Sequence, residues 1–283
     1  MIFGNPGITG RTAEEDAMEA CYVYGVVSEP DADAVVGELP AVGDGDSGAR
    51  VGYVRHGGIA AAVSGLRGDR PLGTPADLRA HSRVLDTLAA TGAPVLPFRF
   101  GTVLDDERAV AEEVLAGAHD AFAAALDRLR GRAQFTLRAS YERDAVLREV
   151  LTEHPDIVEL RDRTAGLPDE AARYERVRLG ELVAEAVAAK READTAELDR
   201  RLAPLADART LSEPAEEDGV TDASFLVAED RRDAFERAAE ELARRWSGRI
   251  RLRLLGPLAP YDFVADAMAG AETAAAAGAK GET

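Results

Sequence analysis

The spacing of apolar residues in the first part of the chain predicts a buried strand and a hairpin. Cys21 to Val27 is apolar at nearly every position, β-branched and aromatic, as is typical of a strand buried on both faces. Two short apolar runs flank His56-Gly57-Gly58, and because glycine accepts positive φ, this segment predicts a hairpin. Residues 29–49 are acidic and rich in glycine and proline, which indicates a loop with a short helical turn near Asp31 to Leu39.

After the predicted hairpin, the spacing of apolar residues becomes that of a helix. Thr74 can cap a helix, Pro75 suits the first helical position, and Asp77 favours the positive helix end. The apolar side of this helix consists of Leu78, His81, Leu85 and Leu88. The first half is completed by the end of that helix at Gly92, a strand from Ala93 to Phe98 and a second helix from about Asp105 to Arg130.

A new series of predicted strands and helices begins around Gly131. Gln134 to Tyr141 alternates strictly between apolar and polar residues, which predicts a half-buried strand. A helical region from 142 to about 205 is broken near His154-Pro155 and again at Gly166-Leu167-Pro168. The remaining predicted elements are a weak strand from Ala208 to Glu213, a strand from Ala223 to Ala228, a helix from Asp230 to Trp246 and a strand from Arg249 to Leu255.

This order of elements predicts an α+β protein of two domains. We expect a flexible leader over 1–18, a mixed α+β domain over 19–131, a second domain over 132–266 and a flexible tail over 267–283. The second domain has the ferredoxin-like order of elements, with a first crossover enlarged by helices. Right-handed crossovers would place its helices on one face of a four-stranded antiparallel sheet.

Composition and charge argue against several classes of function. The chain of 283 residues has a formal charge of −18, and 46% of its residues are hydrophobic, enough for a packed core. The acidity is even, with 10 basic and 17 acidic residues over 19–131 and 22 and 30 over 132–266. This balance argues against nucleic-acid binding and against anionic membrane surfaces. The single cysteine, Cys21, excludes a disulfide within the chain and fits a reducing cytoplasm.

The sequence predicts no catalytic, cofactor-binding or metal-binding residue. Gly43 to Gly48 matches the G-x-G-x-x-G pattern, but a strand does not precede it and a helix does not follow it. No two of the four histidines have the spacing of a metal site, and His81 is expected to pack in the core. Cys21 heads a buried strand, so we interpret it as a small core residue.

A stripe of arginines is the one arrangement that suggests binding. Strand alternation places six polar residues on the non-core side of two neighbouring strands. They are Arg138, Arg251 and Arg253, with Arg249, Thr136 and Ser140. Alternation alone produces a solvated face of this kind. The alternative is that the stripe receives the first domain or the acidic surface of a partner.

Four segments in order resemble the gas vesicle protein F/L family (GvpF/GvpL). The clearest is Gly256-Pro257-Leu258-Ala259-Pro260-Tyr261-Asp262-Phe263-Val264, which is similar to the family's C-terminal signature except at Ala259, where a second proline is usual. The other three resemble its opening strand, its central strand with the following loop, and its long-helix motif; they are Tyr22 to Val27, Pro94 to Val103 and Arg176 to Val183.

Physical chemistry gives these segments structural roles. Gly180 inside a helix costs about 1 kcal/mol against alanine, so we expect another element to approach closely there. Pro257 and Pro260 stiffen an exit from the sheet, which lets Tyr261 and Phe263 anchor on the body. If Leu258, Tyr261 and Phe263 are instead exposed together, they form a protein-contact patch.

The resemblance implies a minor protein of gas vesicle assembly that is not an enzyme. Such a protein would bind the hydrophobic shell protein and other accessory vesicle proteins, and its charge would limit aggregation of the shell protein. Two alternatives stay open: a small-molecule-binding protein or enzyme with a pocket between the domains, and a scaffold that binds only accessory proteins. The sequence does not distinguish an F-like from an L-like role.

Overall fold

The computed structural model describes residues 20–32, 41–42, 50–66, 72–214 and 216–269. The predicted leader, the Gly43 to Gly48 loop and all of the predicted tail beyond Ala269 lie outside these residues. The strands are β1 (Ala20–Ser28), β2 (Gly52–His56), β3 (Ile59–Leu66), β4 (Val95–Pro97), β5 (Val103–Leu104), β6 (Arg132–Tyr141), β7 (Ala208–Ser212), β8 (Gly219–Ala228) and β9 (Ile250–Leu258). The helices are α1 (Glu29–Ala32), α2 (Pro75–Ala90), α3 (Glu107–Ala109), α4 (His119–Leu129), α5 (Arg143–Glu153), α6 (Pro155–Thr164), α7 (Asp169–Leu202) and α8 (Arg232–Arg245).

The chain is a mixed α+β protein that divides into two compact units. Gly131–Ala265 form the second unit, and the other described residues form the first. The first unit contains an antiparallel sheet of order β2-β3-β1-β4, with β5 also paired to β1. The second unit contains an antiparallel sheet of order β7-β8-β6-β9.

Two local sequence signals in the first unit fold as predicted, whereas Leu78, expected on the apolar side of α2, is 47% exposed. Gly57 and Gly58, at φ 60° and 92°, form the turn between β2 and β3. Thr74 caps α2 in a reciprocal capping box: its hydroxyl accepts from the Asp77 amide, and the Asp77 carboxylate accepts from the Thr74 amide. The short helix after β1 begins at Glu29, slightly earlier than expected.

The prediction of one continuous helix from Asp105 to Arg130 was wrong. A π-helical segment over Val110–Leu115 follows α3, and a turn at 116–118 separates it from α4. Gly117 is placed there because a Cβ atom would lie 2.6 Å from the Glu113 carbonyl oxygen. Apolar spacing does not distinguish this interrupted path from a regular helix.

The core of the first unit holds polar groups that pair with one another. His81 is 3% exposed, and its Nδ1 lies 2.9 Å from the Tyr22 hydroxyl, so the prediction of a packed histidine is confirmed. Burial lowers the pKa of His81, which keeps the imidazole neutral. Cys21 is buried as well, and burial raises the pKa of its thiol to about 11.

The alternation predicted for β6 places its two sides in different surroundings. Phe135, Leu137, Ala139 and Tyr141 join a core with α5, α7 and α8. On the other side Thr136 and Ser140 are half-buried and Arg138 is exposed, but Gln134 is only 3% exposed. The helices of this core therefore cover one face of the sheet.

The breaks predicted in the long helical region are confirmed, since α5 ends before His154 and α7 starts after Pro168. The last strand is longer than predicted and continues through Gly256 and Pro257 to Leu258. A side chain at Gly256 would place its Cβ 2.5 Å from the Phe135 ring, so only glycine lets the strand pass there. Within the described ranges, none of the helices is long and apolar enough to cross a membrane.

Candidate partner-binding site

The predicted arginine stripe lies on β6 and on the neighbouring edge strand β9. Arg138 stands opposite Arg253 on one side and Asp222 on the other, in register. Its Nε is 4.0 Å from Asp222, and Arg251 donates to Glu142 at 2.8 Å. All three arginines are exposed, and two of them lie within 4.0 Å of a carboxylate. Exposed pairs of this kind add little to the stability of a fold, because water and salt screen them.

Arg249 is not part of this stripe, so that element of the prediction was wrong. It precedes β9, and its guanidinium donates two hydrogen bonds to Asp194 at 2.7 and 2.8 Å. Its Nε reaches Glu149 at 2.8 Å, and the group lies 5.7 Å from the centre of the Tyr141 ring. Two carboxylates on α5 and α7 draw this arginine to the helix-covered side.

The arginine belongs to a network that fastens α5 and α7 to the sheet. The Tyr141 hydroxyl donates to Asp194 at 2.6 Å, and Lys190 donates to Glu153 at 2.8 Å and pairs with Glu149 at 3.2 Å. Asp194 is only 7% exposed. A buried carboxylate is stable only with such partners, so the network fixes how the two helices sit.

The pKa values in the network follow from these contacts. Burial and the hydrogen bond to Asp194 raise the pKa of Tyr141, and hydrogen bonds to Asp194 and Glu149 raise that of Arg249. Burial alone would raise the pKa of Glu149, but Arg249 and Lys190 outweigh it and hold it below its usual value. The phenol therefore stays neutral and the carboxylate stays charged near neutral pH.

The three apolar residues predicted as a contact patch have different exposures. Tyr261 is 39% exposed, Leu258 is half-buried, and Phe263 is 2% exposed. Phe263 is thus a packed residue, which leaves Leu258 and Tyr261 as the accessible part of the patch.

A carboxylate between these aromatics anchors the segment to the sheet. Asp262 Oδ2 accepts from Gln134 Nε2 at 2.7 Å and from the Ser224 hydroxyl at 2.6 Å. The Asp262 amide in turn donates to Gln134 Oε1 at 3.1 Å. Gln134 and Ser224 are buried on the face opposite the helices, which explains why an alternating strand carries a buried glutamine.

A second candidate surface was not predicted from sequence. An open groove of about 1200 Å³ lies between α5, α7 and the connection from β7 to β8. Its apolar lining consists of Val146, Leu147, Val183, Ala184, Val187 and Ala188. Its acidic rim consists of Glu213, Glu216, Glu217 and Asp218. Arg143 and Arg191 also line it.

The acidic rim is held in place by backbone contacts. The Asp218 carbonyl accepts from the Tyr141 amide at 2.8 Å, and the Glu217 carbonyl accepts from Arg191 at 3.1 Å. Gly219 has no room for a side chain, because a Cβ would lie 2.2 Å from Pro214. These contacts therefore fix the backbone of the rim beside the groove.

Gly180 lies in this groove, and no other element of the described chain approaches it. A Cβ atom added there meets nothing within 4 Å among the described residues. The expectation of close packing at this turn was therefore wrong. A glycine inside a helix with no packing reason is the one feature of the sequence that could have indicated this groove.

The sequence contains no comparable indication of the network around Asp194. Acidic and basic residues are frequent in α7, and where they stand three or four residues apart they suggest solvated pairs. Asp194 differs from its charged neighbours only because Tyr141 and Arg249 meet it in space. In the ranges that the structure covers, histidine, cysteine, aspartate and glutamate form no group suited to a metal ion.

Comparison with known proteins matches nearly the whole chain to one family. The family model described as gas vesicle synthesis protein GvpL/GvpF matches residues 20–265. Gas vesicle protein F of Streptomyces sp. (strain CB03234) is 35% identical over 252 residues, which cover 86% of this chain and 98% of that protein.

Solved structures show the same fold. The crystal structure of gas vesicle protein GvpF from Anabaena sp. PCC7120 has a TM-score of 0.71 at 24% identity and covers 87% of this chain and 98% of its own. That of GvpF from Microcystis aeruginosa has a TM-score of 0.68 at 22% identity, with the same coverage of both chains.

Proposed function

Because this chain belongs to the GvpL/GvpF family of gas vesicle synthesis proteins, we propose that it is a minor protein of gas vesicle assembly. In this role it binds the hydrophobic shell protein and other accessory vesicle proteins, and it limits aggregation of the shell protein. The match of the family model over residues 20–265 carries the proposal.

Charge and surface character support this role. A shell subunit exposes a large apolar area before assembly, and such areas associate without control in water. A partner with a formal charge of −18 keeps a complex soluble through mutual repulsion. The exposed Arg138, Arg251 and Arg253, together with Leu258 and Tyr261, are the contact residues that we propose.

We also infer that the two compact units are the two domains expected from sequence, and that the second is ferredoxin-like. Its strand order β7-β8-β6-β9 with antiparallel neighbours supports this assignment, as do the helices on one face. The insertion of α5, α6 and α7 between β6 and β7 would be the enlarged first crossover.

Co-expression with the shell protein tests the proposed role. We expect the soluble fraction of the shell protein to rise and the two proteins to copurify through a tag on this chain. Unchanged solubility and no copurification would contradict shell binding.

Pull-downs with the accessory proteins, one at a time, separate the role in shell binding from that of a pure scaffold. Capture of accessory proteins without the shell protein would favour the scaffold. Charge reversal of Arg138, Arg251 and Arg253 together should weaken at least one of these associations, and no change in any of them would remove the stripe as a contact surface.

A further inference from the structure

We propose that the groove between α5, α7 and the β7–β8 connection binds an amphipathic helix of a partner protein. This helix presents a small apolar face to α7 and lysine or arginine side chains to the acidic rim. The inference rests on the proposed function in one respect, namely that the occupant is another protein. It adds the surface and the chemistry of that partner.

The shape of the groove suits a helix. Gly180, Ala184 and Ala188 are all exposed and follow one another at four-residue intervals, so they lie along one side of α7. From Gly180 to Arg191 the axis rises by roughly 16 Å, which is about three turns. Close approach of two helices requires small side chains at the contact, and a Cβ at Gly180 would stand in open space.

The apolar lining of the groove favours binding through the hydrophobic effect. Val183 and Val187 of α7 and Leu147 of α5 are only half-buried. Water contacts these side chains until another apolar surface covers them, and covering apolar area stabilises a complex by about 25 cal/mol per Å² before the costs of association.

The acidic rim selects the sign of the partner's charge. Glu213, Glu216 and Glu217 are exposed and Asp218 is half-buried. The hydrogen bond to Glu142 and, to a smaller extent, the charges of Asp218 and Glu216 raise the pKa of Arg251, but that hydrogen bond holds the Arg251 side chain on Glu142. Rim charges act chiefly on association rate and on the choice of partner. They repel the phosphates of nucleic acids and of anionic lipids, and they attract lysine and arginine.

The same charges disfavour a second copy of this chain as the occupant. With a formal charge of −18, two copies repel each other, and an acidic segment would meet the acidic rim. A basic helix from a different protein satisfies both the lining and the rim.

The test uses the full chain and three labelled peptides of about four helical turns, crosslinked between turns to hold the helix. One peptide has an alanine and leucine face flanked by lysines, the second has glutamates in place of the lysines, and the third has the lysines with the apolar face scrambled. Fluorescence anisotropy should show binding of the first, with the other two at least about tenfold weaker. Equal affinity for the lysine and glutamate peptides, or no binding of any peptide, would overturn the proposal.

Two variants locate the binding in the groove. Gly180→Leu fills the open space beside α7, and Glu216→Lys with Glu217→Lys reverses part of the rim. Each should weaken the lysine peptide at least about tenfold. The matched control, Glu240→Lys with Glu241→Lys on exposed positions of α8, should change its affinity less than about twofold.

Three results would contradict this location. They are unchanged affinity in both groove variants, an equal loss in the control, and self-association of the chain that Gly180→Leu abolishes, which would assign the groove to a second copy. Circular dichroism of Gly180→Leu, with Gly180→Ala beside it, verifies that the helix is intact. Because no vesicle protein is present, failure here leaves the vesicle role standing, and failure of the co-expression test leaves the groove standing.

Discussion

Two stretches of one long helix meet contrasting surroundings. From Lys190 to Leu202, α7 is fastened to the sheet by the network around Asp194 and by two fully buried leucines, Leu198 and Leu202. From Gly180 to Ala188, the same helix faces the open groove. The contrast separates residues that build the fold from residues that are free to meet a partner.

The contrast also shows what charge does in each place. Asp194 is buried and meets three donors, so its charge determines the packing of helices on the sheet. The side chains of Glu216 and Glu217, by contrast, are exposed on the rim. Removing the first should cost stability, whereas changing the second should alter binding.

The largest effect is expected from Asp194→Ala. It leaves the Tyr141 hydroxyl without its acceptor and the Arg249 guanidinium with Glu149 alone, which should lower the free energy of unfolding by about 3 kcal/mol. Chemical denaturation measures the loss. The matched control is Asp222→Ala, whose partner Arg138 is exposed, and it should cost less than about 0.5 kcal/mol. Equal losses would show that the network is not a fastening point.

Gly256→Ala should be next in size. Its Cβ would lie 2.5 Å from the Phe135 ring, which is part of the core beneath the sheet. Overpacking of this kind costs about 2 kcal/mol. A melting temperature equal to that of the unchanged chain would mean that Phe135 moves aside without penalty.

Asp262→Ala should have a smaller effect. It removes the acceptor shared by Gln134 and Ser224, which are both buried, so the free energy of unfolding should fall by about 1–2 kcal/mol. The control is Asp266→Ala at an exposed position nearby, for which we expect no measurable change in stability. A loss as large in the control would contradict the anchoring role of Asp262.

Gly180→Ala gives the smallest effect, and its sign is opposite. Because the added methyl group would contact no other element among the described residues and alanine favours helices, the free energy of unfolding should rise by about 1 kcal/mol. This is the same substitution as at Gly256, so the pair contrasts the open groove with the packed sheet directly. A fall in stability would show that some element does approach Gly180.

Much of the fold follows from local signals. The Thr74 capping box, the Gly57-Gly58 turn and the proline breaks around α6 each act through the backbone of a few residues, so the sequence predicts them. The π-helical path over Val110–Leu115 and the length of β9 depend on contacts between distant residues. Periodicity carries no information on either.

Less of the candidate site follows from the sequence. Exposure of Arg138, Arg251 and Arg253 results from strand alternation, which is a local pattern. The position of Arg249 depends on Asp194 and Glu149, which lie 55 and 100 residues away in sequence. The groove is formed by segments that come together only in the folded unit, so Gly180 alone could not reveal it.

We propose that this chain takes part in gas vesicle assembly by binding other proteins. The most direct measurement is vesicle yield in cells that carry a complete set of vesicle genes except the gene for this chain. We expect vesicles to be lost or sharply reduced and to return when the gene is supplied again. Normal vesicle yield without the gene would contradict the account.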